Sequence, residues 1–93
     1  MNRAITDERL MEVATLVMEA VHLFEGLGIL HIISMEIGRY PEIVIHENIG
    51  SVNSKWKRYK ACRLLFEEEK HDPTFERAEM HIRRLMEEAA KDA

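Results

Sequence analysis

Five cationic side chains, Lys55, Lys57, Arg58, Lys60 and Arg63, crowd into residues 50–66, GSVNSKWKRYKACRLLF, together with the aromatic Trp56 and Tyr59. They are five of the 13 Lys and Arg residues in a chain whose formal net charge is −4, so positive charge is concentrated here. Ammonium and guanidinium groups neutralise phosphate oxygens, and a turn followed by a basic helix is one way in which small proteins address a phosphate backbone. An ordinary solvated helix has the same composition. On a helical projection Trp56, Tyr59, Cys62, Leu65 and Phe66 cover one side while Lys57, Lys60 and Ala61 lie on the other, so a packing face and a phosphate face coexist.

The remaining chemistry-bearing residues are sparser. Glu19 with His22 and Glu68 with His71 both read Glu-x-x-His, the spacing that places a carboxylate and an imidazole on one helical face of di-iron bundles. Chance accounts for two such pairs in a chain this rich in Glu, and no suitably placed bridging glutamates accompany them. Neither a metal nor any other cofactor is expected, and His22, His31 and His81 read as helix-surface or core-edge residues. There is no nucleophile elbow, phosphate-cradling glycine loop or HExxH sequence, so no catalytic residue and no enzyme activity are expected. Cys62 is the single cysteine, which excludes an internal disulfide and fits a reducing, cytoplasmic setting. Its place on the inward face of the projection implies packing rather than thiolate chemistry. No apolar run approaches the roughly 18 to 20 residues that span a bilayer, and MNRAITDERL lacks the layout of a signal peptide, so no membrane partner is expected.

The elements that would position these groups read as helices. With 93 residues, 46% hydrophobic and 32% charged, one folded domain over 1–93 is expected, and the four Gly and two Pro leave helix formers dominant. The fold class expected is all-α, four to five helices around one core. Thr6 and Asp7 precede a first helix at about 7–25, in which Leu10, Ala14, Val17, Val21 and Phe24 make a stripe widened by Val13, Leu16 and Leu23. Gly26 and Gly28 mark its end. ILHIISMEIG predicts a second helix at about 28–37 with Leu30, Ile33 and Ile37 on one face, against a buried strand favoured by Ile29, Ile32 and Ile33. PEIVIHENIG predicts a short third helix ending at Gly50, although alternating Ile43 and Ile45 fit a strand equally. Asn53 or Ser54 would cap the basic helix at about 54–68, and Asp72-Pro73 would start the last, at about 73–90. Its Phe75, Ala78, Ile82, Leu85 and Ala89 form a seam that closes the core or a dimer contact.

Residues 42–66 have the order of a helix-turn-helix unit, with Gly50 at the turn, Ile45 and Ile49 inward on the support helix, and Trp56 and Tyr59 inward on the recognition helix. His46 stands where such units usually carry a small residue, and Ser51 where an apolar one is usual. The segment Ile29 to Phe66, with IGRYPEIVIHENI as the entry to the support helix, resembles winged-helix transcriptional regulators of the MarR type. Only EEEKHDPTF separates Phe66 from the last helix, so the family's wing would be truncated or absent. The resemblance implies duplex DNA as partner, with Asn53, Ser54, Lys55, Lys57, Arg58 and Lys60 facing it. Lys and Arg would neutralise phosphates, while Asn53 or Arg58 would reach a base edge. Residues 1–50 carry three basic and eight acidic groups and 51–93 carry ten and nine, so the N-terminal half is a poor nucleic-acid surface. The expected protein is therefore a small non-catalytic regulator of transcription, a homodimer through its first or last helix. The alternative is a helical protein-interaction module that docks a protein partner on its apolar helix faces.

Overall fold

A computed structural model describes residues 4–50, 54–63 and 73–92. Its elements are β1 (Ala4–Ile5), α1 (Asp7–Leu27), β2 (Ile32–Glu36), β3 (Glu42–Asn48), β4 (Ser54–Lys60), β5 (Cys62–Arg63) and α2 (Pro73–Asp92). Strands β2, β3 and β4 form an antiparallel sheet in that order, and β1 pairs with β5 in parallel. The all-α expectation is overturned: among the described residues there are two helices, and a sheet stands where three further helices were expected. The helix-turn-helix unit at 42–66 goes with it, because its support helix is β3 and the described part of its recognition helix is β4 and β5. Leu65 and Phe66 lie outside the described residues.

Both helices that frame the sheet follow their sequence patterns. Thr6, in an extended conformation, accepts a hydrogen bond from the Arg9 amide through its side chain (3.1 Å), which satisfies one of the free donors of the first turn of α1. At the other end Gly28 takes φ +70°, and the Ile29 amide donates back to the Phe24 carbonyl at 2.9 Å. That left-handed step is open to glycine at low cost and turns the chain toward the sheet. Leu10, Val13, Leu16, Val17, Ala20 and Phe24 of α1 are buried, and so is the whole seam of α2, Phe75, Ala78, Ile82, Leu85 and Ala89. The seam therefore closes the core of this chain. Arg9 of α1 bonds Glu79 of α2, adding a polar tie beside the apolar contact.

Strands β2 and β3 follow from β-branched residues in short segments between glycine and proline breaks. Ile33 of β2, Ile43 and Ile45 of β3 and Tyr59 of β4 are buried at alternate positions and meet the helices, as a period of two requires. Gly38 and Pro41 bracket the connection between two antiparallel strands, where the end of one helix and the start of the next were expected. Leu30 and Ile37, expected beside Ile33 on one helical face, are both exposed. Cys62 is exposed too, because a strand turns it away from the core face to which a helix would have assigned it.

Beyond Lys60 the chain stays paired, with the Ala61 amide donating to the Pro41 carbonyl (2.9 Å) and the Arg63 amide to the Arg39 carbonyl (3.0 Å). The Arg63 side chain then clasps Asp7, Nε to Oδ1 at 2.9 Å and Nη2 to Oδ2 at 3.2 Å. This fork fixes β5 against the start of α1, and the hydrogen bond from Arg63 holds the Asp7 carboxyl below its ordinary range. Among the described residues no helix is long and apolar enough to cross a membrane.

Candidate functional site

With both helices on one side, the other face of the sheet is left without a covering element among the described residues. Register places Ile32, His46 and Trp56 in one row across all three strands of that face, and Ser34, Val44 and Arg58 in the next. Ile32 is 58% exposed and Trp56 63% exposed. The indole of Trp56 stacks on the His46 imidazole, with ring centroids 4.2 Å apart and planes 19° from parallel. Directly opposed side chains in an antiparallel pair come close enough for such contacts, so the β3–β4 register produces the stack. One face of the indole rests on His46 and the other is presented outward. His46 Nδ1 is buried and has no hydrogen-bond partner among the described residues, a polar cost that the stack carries.

The six residues expected to face nucleic acid do not share a surface. Asn53 lies outside the described residues. Ser54 is exposed at the start of β4, opposite Asn48. Arg58 and Lys60 share the open face with Trp56; Arg58 reaches Glu42 at 3.2 Å with its side chain largely in solvent, and the Lys60 ammonium sits 5.8 Å from the centre of the Tyr40 ring. Lys55 and Lys57 point to the other side of the strand, toward α2. Lys57 lies over the Tyr59 ring, 5.9 Å from its centre. Helical spacing would have kept Trp56 and Tyr59 together; strand alternation puts them on opposite faces.

On the α2 side of β4 a groove of about 630 Å³ is lined by Lys55, Trp56, Lys57, Arg77, Met80 and Arg84. Its floor is a hydrogen-bonded chain. Tyr59 Oη and His81 Nδ1 are 3.0 Å apart, and His81 Nε2 lies 3.2 Å from Glu47 Oε2. Burial pushes the Tyr59 phenol above its ordinary pKa, against the pull of Arg84 and Arg77. The Glu47 carboxylate only accepts, so it faces an Nε2 proton of His81; a neutral ring then accepts the Tyr59 hydroxyl proton at Nδ1, whereas a protonated ring donates to the phenol oxygen there. Arg84 adds a longer contact to Glu47, 3.8 Å. Arg77, His81 and Arg84 fall on one face of α2 by their spacing of four and three, so one helix supplies one wall and the middle residue of the floor.

Sequence reasoning missed Trp56 and His46 as a pair and placed Trp56 in the core. The usable signal was the register of two strands that meet across a connection, which requires recognising the strands first. His81, Glu47, Arg77 and Arg84 carried no local signal at all, because α2 reaches β3 and β4 only in the folded chain. Glu19 and His22 are both exposed on α1, and Glu68 and His71 lie outside the described residues. Among the described residues no group of three His, Cys, Asp or Glu side chains is gathered for a metal ion. Comparison of the chain with family models, with curated proteins and with solved structures returns no match in any of the three.

Proposed function

We propose that this protein binds nucleic acid in single-stranded form, on the open face of its sheet, by stacking bases on Trp56 and neutralising phosphates with Arg58 and Lys60. The observation that carries the reading is the outward Trp56 indole, backed by His46 and flanked along β4 by cationic side chains. Base–aromatic stacking tolerates any sequence, since every base has a π-face, and a cationic strand beside it tracks the backbone. A base in a duplex is already stacked on both sides and offers the indole nothing, which favours unpaired bases. Neither described helix is a free recognition helix, because α1 and α2 both bury their apolar faces against the sheet and each other. The reading is one of binding, without a chemical step.

Trp56 is the single tryptophan and so reports on its own site. The test is quenching of its fluorescence by a mixed-sequence single strand and by the matching duplex, over a salt series. The expected result is saturable quenching by the single strand, weakening linearly in log–log form as salt rises, with the duplex much weaker. Absence of binding at low salt, or equal affinity for the duplex, overturns the reading.

A further inference from the structure

We infer that the groove between β4 and α2 is a binding site for a phosphate group, separate from the open face of the sheet. Four cations, Lys55, Lys57, Arg77 and Arg84, converge on it from a strand and a helix. Among the described residues Glu47 is the one carboxylate in the lining, and it is already engaged by His81 at 3.2 Å and Arg84 at 3.8 Å. Among the described residues no carboxylate lies within 4.0 Å of the charged groups of Lys55, Lys57 or Arg77, although Glu47 stands opposite Lys55 in the strand register. Like charges gathered in a concavity repel one another and raise the local concentration of anions. A surface that merely needed solubility would spread them.

The donor set selects the kind of anion. Guanidinium forks approach from α2 and ammonium groups from β4, an arrangement that suits a group offering oxygens in several directions, as a tetrahedral phosphate does. A planar carboxylate is served by a single Arg. The groove, about 630 Å³, also exceeds a bare ion, and its rim carries the apolar surfaces of Met80 and Trp56. A nucleoside attached to the phosphate would lie toward that rim. His81 takes part indirectly: both of its ring nitrogens are occupied, by Tyr59 and Glu47, so it holds Glu47 in place on the floor.

Apart from Trp56, whose indole edges the rim, this site uses side chains other than those of the strand-binding face, and it does not depend on that reading. The test is an NMR titration of the full chain at constant ionic strength with inorganic phosphate, then a nucleoside monophosphate, with nitrate as the control anion. Saturable shifts of the His81 ring and the Arg77 and Arg84 side chains with phosphate, and not with nitrate, are expected. Tighter binding of the monophosphate, with Trp56 quenching, identifies the source as a nucleotide or strand end; equal binding identifies it as free phosphate. Arg77→Ala should weaken phosphate about tenfold, the worth of one charge-assisted contact, while Arg58→Ala on the opposite face leaves it unchanged. Arg77 is exposed, so its loss does not threaten folding, and Lys55→Ala gives an independent second variant. No saturable shift beyond the nitrate control, or equal loss in Arg58→Ala, overturns the inference. Trp56→Ala separates the two readings, because it removes stacking of a single strand and leaves inorganic phosphate bound.

Discussion

The indole of Trp56 and the imidazole of His46 lie nearly parallel, centroids 4.2 Å apart, as a directly opposed pair on adjacent strands of an uncovered sheet face. The contact is cross-strand packing, yet it leaves the outer indole face unused. Such pairs contribute roughly 0.2–1 kcal/mol to folding. Removing the indole also exposes His46 Nδ1 to water, which offsets part of that loss.

Trp56→Ala is therefore expected to change unfolding free energy by less than about 1 kcal/mol, while weakening single-strand binding roughly tenfold or more. Denaturation monitored by circular dichroism and binding by anisotropy of a labelled strand check the two halves. Trp56→Phe should keep most of the affinity. A large loss of stability in Trp56→Ala would make the residue structural and remove the basis of the stacking argument.

Lys57 and Arg58 are neighbours in sequence but lie on opposite sides of β4, so charge reversal separates what a helix would have joined. Arg58→Glu should weaken strand binding and reduce the salt slope by about one. Lys57→Glu should act mainly on phosphate in the groove. Both side chains are exposed, so neither change should cost much stability. Equal effects of the two on both ligands would mean that the faces are not functionally distinct.

The two long helices were legible because their apolar residues recur at three and four over five turns and more, and because Thr6 and Gly28 carry recognisable capping chemistry. The sheet was not. Ile43 and Ile45 alternate, but β4 reads Ser-Lys-Trp-Lys-Arg-Tyr-Lys, with cations at positions of both parities, so no hydrophobic period survives to reveal a strand. Lys and Arg favour helix intrinsically, and on an edge strand with one solvated face tertiary packing overrides that preference. The stretch of positive charge is plain in the sequence; its division into an open face and a groove depends on a period of two that only the partner strand β3 imposes.

Ile43 is fully buried in the central strand, flanked by β2 and β4. Ile43→Ala should cost about 3–4 kcal/mol, the transfer and cavity terms together, and shift the denaturation midpoint without changing the slope. The same truncation at exposed Ile32, one strand away in the sheet, should stay within about 0.5 kcal/mol. A helical segment at 41–50 would give no such contrast, so the pair of measurements also checks the strand assignment.

Tyr59 links the groove to stability at high pH. Its unfolded phenol ionises near the ordinary value of 10.0, whereas burial raises the folded value. Above pH 10 the unfolded chain therefore releases a proton that the native chain retains, and stability falls. The contribution is whole below the unfolded pKa and is lost as pH rises through the folded one. Tyr59→Phe removes the titration and also the bond to His81 Nδ1, so it should cost about 1 kcal/mol at neutral pH and flatten the alkaline decline. Denaturant titrations from neutral pH to above pH 10 measure both effects. Tyrosinate absorbance in a Tyr40→Phe background follows Tyr59 alone, and ionisation at or below pH 10 would contradict the burial that raises the pKa of the folded phenol.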